Sequence, residues 1–402
     1  MPNAGTHPDY FGGVTPNWGY TPLIRKFVDA LPGLGAANAN GLVTPGGDPA
    51  GQYLSVAVPD KLTYPGCDYY EIELRQYTEK MHSDLPPAKL QGYVQVNKGT
   101  NTAGTSNDVT PAPIHYLGPV IVAEKDRPVR IKFTNKLPTG MGGDLFIPTD
   151  PTVMGAGMGP YMAMPMHADQ VGGAGTTVTI MTMAAHNLQA GERIMLEGFA
   201  PAAYNGMFTV LPTGLDATHF QVTLKSDPGG PATTLGHVME HYTQNRSIIH
   251  LHGGLTPWIS DGTPHQWVVP KGEITQYSKG ASQQNVPDMP DPGEDSMTFF
   301  YNNQQSARLL WYHDHSFGIT RLNVYVGEVS AYLITDQTEK DLISAGLLPD
   351  AGIPLIVQDK TFVDAGTLPT TNPTWKAGTQ PGQAITGELW YPDVYMPNQN
   401  PN

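Results

Sequence analysis

Tyr70-Glu-Ile-Glu-Leu74 alternates apolar and polar side chains, and the same period returns in Tyr93-Val-Gln-Val96 and Val129-Arg-Ile-Lys-Phe133. A two-residue period places one set of side chains on each face of a strand, so these segments predict sheets with one face buried. Pro119-Val-Ile-Val-Ala123, followed by Asp126-Arg-Pro128, reads as a strand, a turn and a second strand. The rest of the composition agrees. Gly (45) and Pro (38) make up about a fifth of the 402 residues, and charged residues are only 14%. Helical bundles and coiled coils need far more Glu, Lys and Arg. The 36 aromatic residues argue equally against disorder, because they demand a core. The expected fold class is all-β, with short strands joined by many turns.

The formal net charge of −14 argues against an electrostatic grip on nucleic acid or anionic lipid. No apolar run approaches the roughly 20 residues of a membrane helix, so no membrane span is expected. The N-terminus, Met1-Pro-Asn-Ala-Gly-Thr-His7, has neither a basic nor an apolar region, so no secretory signal is visible. The single cysteine, Cys67, rules out an internal disulfide framework and cysteine-rich zinc sites. Hydrolase and nucleotide signatures are absent: there is no G-x-S-x-G, no H-E-x-x-H and no phosphate-cradling glycine loop.

Residues 1–60, rich in Gly, Pro and Asn, read as an extended arm with one anchored helical turn around Leu23, Ile24, Phe27, Val28 and Leu31. Residues 61–169 and 239–340 form the expected main β-sandwich. Between them lies a change of character. Residues 144–167 carry five methionines (Met154, Met158, Met162, Met164 and Met166) followed by His167. Four short strand signals with their own turns come next, at Thr177, Arg193, Phe208 and Phe220, so 170–238 is read as an inserted small β module. Residues 341–402 read as a linker and the opening of a further β unit from Ile353. The methionine-rich loop has two readings. Thioethers are soft Cu(I) ligands, and methionine is also a flexible packing residue.

Two H-x-H pairs stand out among the 13 histidines: His250-Leu-His252 and His313-Asp-His315. On a strand, residues i and i+2 project from one face about 6.5–7 Å apart, close enough to share a metal or serve two adjacent ones. Two such pairs facing each other would gather four imidazoles at one spot. Imidazole suits copper, zinc, iron or nickel, so ligand type alone leaves the metal open. His82, His115, His186, His219, His237, His241 and His265 have no such spacing and are read as structural.

The strings HLHGGLTPWISDG (250–262) and LLWYHDHSFGITRLNVYVGEVSAYLI (309–334) resemble the first-domain copper motifs of multicopper oxidases, in the bacterial laccase and bilirubin oxidase branch that includes spore-coat laccases. Lys26-Phe-Val-Asp-Ala-Leu-Pro32 and Met81-His-Ser-Asp-Leu-Pro-Pro-Ala-Lys-Leu-Gln-Gly-Tyr93 resemble the same branch. The resemblance covers roughly 20–135 and 240–365. It implies a cupredoxin-like Greek-key sandwich, with the start of a second cupredoxin domain after it. It implies that His250 holds a type 2 copper, that His252 and His313 hold one copper of a type 3 pair, and that His315 holds the other. Asp261 matches an acidic residue on the proton route to oxygen, and equally reads as a turn former before Gly262.

The sequence also departs from the family pattern. The family's C-terminal H-P-x-H-x-H and H-C-H motifs do not occur here, and Cys67 in Pro-Gly-Cys-Asp-Tyr69 has no histidine neighbour. Cys67 is expected to be an inert thiol, and the type 1 copper to lie outside this chain. The chain therefore reads as the N-terminal part of an oxidase. Its implied partners are a C-terminal cupredoxin portion or a second chain, O2, and a small reducing substrate such as a phenol, a pigment, Mn(II) or Cu(I). A periplasmic, extracellular, or cell- or spore-surface location would suit such an enzyme. A non-catalytic copper-binding or structural subunit of a larger assembly is the alternative.

Overall fold

The computed structural model describes residues 24–147, 149, 153–161, 172–173, 175–349, 352, 354–366 and 385–390. The alternating segments form two four-stranded sheets. In the first, Asp68–Glu79 lies between Ala88–Gln95, antiparallel to it, and Val129–Asn135, parallel to it, and Ser296–Tyr301 adds an antiparallel edge. In the second, Arg308–His313 lies between His250–His252 and Val329–Thr335, antiparallel to both, and Ile121–Glu124 adds a parallel edge. The chain crosses repeatedly between the sheets, as in a cupredoxin-like sandwich.

The two-residue period becomes the core directly. Tyr70, Ile72, Leu74, Ile131, Phe133, Met297 and Phe299 point inward from the first sheet. Ile121, Ala123, Leu251, Tyr312, Tyr332 and Ile334 meet them from the second. Each fully buried side chain of this kind is worth about 1.5–3 kcal/mol of transfer free energy. The outer face of the second sheet is covered on one side by the arm, where Leu34 and Leu54 pack with Leu117, Val120, Val329 and Ala331.

The arm differs from its sequence reading. Residues 24–31 form turns rather than a helical turn; Phe27 sits at φ 60 and is fully exposed. Only Ile24 packs against the core, while Arg25 is held by the Asp84 carboxylate through its backbone N–H and its guanidinium. The apolar spacing imitates a helix stripe, but the left-handed φ at Phe27 interrupts any helix there. Leu23 lies outside the described residues.

The segment read as an inserted module has a core of its own, built from Val178, Ile180, Ile194, Leu196, Tyr204, Phe208, Phe220 and Val222. Thr177–Met181, Arg193–Glu197 and His219–Thr223 form where the sequence signals them, and Gly206–Thr209 starts two residues before Phe208. Its four-stranded sheet runs Gly206–Thr209, Arg193–Glu197, His237–His241, Met158–Tyr161. The module thus takes in a strand of the methionine-rich segment, and the donated Tyr242 N–H reaches Gly157 O at 3.1 Å where the two ends meet. Arg193 anchors it to the sandwich through Asp144 at 2.7 Å. Met162, Met164, Met166 and His167 lie outside the described residues, and Met154 is exposed.

Past Thr335 come the helix Gln337–Ser344, capped by Asp336, and a two-residue ladder between Thr361–Phe362 and Leu389–Trp390. Phe362 and Leu389 are buried with Leu85 and Leu90 of the sandwich. Residues 367–384 and 391–402, in the segment read as the opening of a further β unit, lie outside the described residues, as does Ile353.

Candidate metal centre

Leu251 and Tyr312 are the residues that aim the histidines. Both are buried in the sandwich core, so their strand neighbours His250, His252, Trp311 and His313 project from the opposite face of the second sheet. The register pairs His250 with His313 and His252 with Trp311. His315 lies beyond the end of its strand, in the turn after His313, and still returns to the group: its ring centroid is 4.6 Å from that of His250 and 5.7 Å from that of His313.

Two of the rings are oriented by their second nitrogen. His250 Nδ1 lies 2.5 Å from Asp261 O, and His313 Nδ1 lies 2.5 Å from Asp314 O. A carbonyl oxygen only accepts, so in the neutral rings Nδ1 carries the proton and Nε2 is left as a bare donor atom. His252 Nδ1 approaches His313 Nε2 to 3.3 Å, and the ligand atoms of His250, His252 and His313 all lie within 4.8 Å of one another. Trp311 stacks on both of the latter rings, at 4.8 Å from His252 and 4.2 Å from His313. Burial pushes His313 down to about 4, and the neighbouring imidazoles add to this; burial lowers His315 as well. Neutral imidazole is the ligating form.

The donor set fits copper. It consists of imidazole nitrogens, and His315 Nδ1 is buried without any hydrogen-bond partner, as a ligand atom awaiting an ion would be. Among the described residues, His250, His252 and His313 form the group of three potential ligands that converges, and His315 lies beside it. Other described histidines are engaged elsewhere. His115 pairs with Glu79, His186 with His219 O, His219 with Asp216 and His241 with Gly157 O, while His265 is exposed and stacked on Phe317. Cys67 is a free, buried thiol in another part of the sandwich.

Asp261 caps the short 3-10 turn Trp258–Ser260, and its backbone carbonyl, rather than its carboxylate, holds His250. Gly262 makes this possible. At φ +68 it favours glycine, and a Cβ there would lie 2.0 Å from Ile249 O. The Asp261 carboxylate accepts from Thr256 Oγ1 at 3.1 Å and stands 3.7 Å from His250 Nδ1, partly exposed.

Sequence reading missed the base of the site. Thr243-Gln-Asn-Arg-Ser247 leads into the first histidine pair and is entirely buried. Asn245 donates to Pro138 O and Glu273, Arg246 to Thr243 O, Gly155 O and Phe317 O, and Ser247 Oγ to Glu328 at 2.7 Å. Burial raises Glu328 well above the usual carboxylate range and lowers Arg246 to about 10. Five consecutive polar residues ordinarily signal a loop; the buried partners that invert that reading are remote in sequence.

No protein-family model matches the chain. It is 28% identical over 347 residues to the laccase of Bacillus stratosphericus, covering 86% of this chain and 40% of that protein. It is 26% identical to the laccase of Bacillus subtilis (strain 168), covering 75% of this chain and 35% of that one. A 96-residue stretch, 24% of this chain and 17% of its relative, is 38% identical to bilirubin oxidase from Albifimbria verrucaria. The McoA multicopper oxidase of the hyperthermophile Aquifex aeolicus aligns with a TM-score of 0.36 and 16% identity, over 84% of this chain and 38% of that one. The sequence relatives of the chain are thus laccases and a bilirubin oxidase, and its similarity is to multicopper oxidases. It spans about two-fifths of the length of the laccases it matches.

Proposed function

We propose that this chain supplies half of the ligands of a trinuclear copper centre in an oxidase that couples one-electron oxidation of a small reductant to the four-electron reduction of O2 to water. The observation that carries the reading is the convergence of His250, His252 and His313 on one sheet face, with His315 returning beside His250 and with Nδ1 of His250 and of His313 engaged by a backbone carbonyl. His250 would hold the type 2 copper, His252 and His313 one type 3 copper, and His315 the other. Bound copper supplies the one-electron redox chemistry that O2 reduction requires. The chain's own residues hold and orient the imidazoles, favour the neutral form of His313 and His315 through burial, and would let the Asp261 carboxylate hand protons toward the site.

Four imidazoles leave such a centre open on its outer side. We assign the remaining ligands to a C-terminal cupredoxin portion or a second chain bearing H-C-H and H-x-H motifs. The sheet face beside the histidines supports a protein covering. Leu309, Trp311 and Val122 are 50%, 38% and 42% exposed, and the register sets Leu309 and Val122 on either side of Leu333. A bare apolar row of this kind is unusual on a free surface. The reductant would then meet a type 1 copper outside this chain, which leaves phenols, pigments, Mn(II) and Cu(I) as candidate substrate classes.

Anaerobic reduction of the blue band of the complete copper-loaded protein, followed by admission of air, tests the reading. His252→Ala and His313→Ala should bleach and fail to recover, whereas His265→Ala should recover normally. Recovery in all three would overturn the assignment.

A further inference from the structure

Asp314 separates the two histidines of the second pair, and its side chain points away from them into the protein, where it is fully buried. Its Oδ1 accepts from the Ile248 N–H at 3.0 Å, the Ser316 N–H at 3.1 Å and Ser316 Oγ at 2.7 Å. Its Oδ2 accepts from the Ser316 N–H at 3.1 Å and from Asn323 Nδ2 at 3.0 Å. One carboxylate thereby joins three segments: the approach to His250, the turn after His315, and the helix Thr320–Val326. A buried carboxylate needs such a shell of donors to compensate for lost solvation.

The ladder between the two pairs is too short to fix them unaided. His250–His252 is a three-residue edge strand, its pairing ends at His250 opposite His313, and His315 lies past the end. We propose that Asp314 is a positioning residue for the metal-binding histidines, tying the Ile248 amide behind one pair to the Ser316 amide behind the other so that the four imidazoles converge before any ion arrives. This rests on the reading of the two pairs as a metal site. The role is one of hydrogen-bond geometry rather than of charge, and Asn323 shows how the two can be separated. Its Oδ1 is buried without a partner. In Asp314→Asn, the remaining oxygen still serves Ile248 and Ser316, and turning the Asn323 amide offers Oδ1 to the new NH2 group.

The test uses the chain of residues 1–402 and three readouts: copper(II) affinity, the nitrogen hyperfine pattern of its electron paramagnetic resonance spectrum, and amide exchange at Ile248 and Ser316. Asp314→Ala should lose about 10–100-fold in copper affinity, a typical effect of removing a residue that orients a ligand. It should also alter the hyperfine pattern and speed exchange at both amides. Asp314→Asn should restore all three. If Asp314→Ala does not fold, Asp314→Ser, whose single oxygen is too short to reach every donor, asks the same question. An alanine or serine variant with native affinity, spectrum and exchange would overturn the proposal, as would a folded Asp314→Asn protein as impaired as Asp314→Ala. A wild-type chain that binds no copper would instead contradict the metal reading, and exchange at Ile248 and Ser316 would then judge the tie by itself.

Discussion

His250 and His313 face each other directly across an antiparallel ladder, their ring centroids 5.5 Å apart, and Nδ1 of each lies against a backbone carbonyl. That relationship follows from two core residues, Leu251 and Tyr312, whose burial turns both histidines to the outer face. The site is therefore a property of the sandwich and its strand register, with short turns completing it.

The turn at Gly262 is the most sensitive of these. Gly262→Ala forces a Cβ toward Ile249 O at a left-handed φ. It should withdraw the Asp261 carbonyl from His250 and lower copper affinity about tenfold or more, while the far-ultraviolet circular dichroism stays native. Unchanged copper affinity in the folded variant would show that the carbonyl does not orient the ring.

The inserted module should be separable from the site. Its ends meet at Gly157 and Tyr242, and it has its own core. Replacing 158–241 by a short Gly/Ser bridge should leave copper binding by the two histidine pairs intact. The melting temperature should fall modestly, because the Arg193–Asp144 ion pair and the Gln276–Glu192 hydrogen bond are lost. A folded deletion protein without copper binding would mean that the module contributes to the site.

The module's attachment should depend on pH. Glu240 is buried with Oε1 unpartnered, and burial, reinforced by the Glu192 carboxyl, pushes it up to about 8. A raised folded-state value means that folding favours the protonated form. The associated stability is fully present below the ordinary glutamate range and is lost progressively as pH rises toward 8. Glu240→Gln, neutral throughout, should flatten the fall in melting temperature between about pH 4.5 and about pH 8. Parallel profiles for the two proteins would contradict this.

Much of this was legible in the sequence, and the exceptions share a cause. Alternation located the sandwich strands, and the i, i+2 spacing placed His250 and His252 on one strand face, because each depends on neighbours along the chain; His315, past the end of its strand, reaches the group through the turn instead. The strand Met158–Tyr161 was hidden, since Met-Gly-Pro-Tyr has no alternation and is held by its pairing with His237–His241. Phe27 and Val28 carry helix-like spacing, yet nothing comes to bury them, and they stay exposed. The buried run 243–247 and the inward-facing Asp314 were hidden for the opposite reason: their polar partners, among them Glu273, Phe317, Glu328 and Asn323, are distant in sequence.

The central claim, that His250, His252, His313 and His315 form a copper half-site, is tested most directly by titrating copper(II) into the chain of residues 1–402 and recording its electron paramagnetic resonance spectrum. The wild-type chain should bind weakly and below one equivalent per expected site, because each ion lacks part of its ligand set, with nitrogen hyperfine lines from imidazole and no intense blue colour. A variant with His250, His252, His313 and His315 all replaced by Ala should lose those lines, and His265→Ala should keep them. Lines that persist in the fourfold variant, or tight binding of a full set of coppers with a strong thiolate band, would contradict the account.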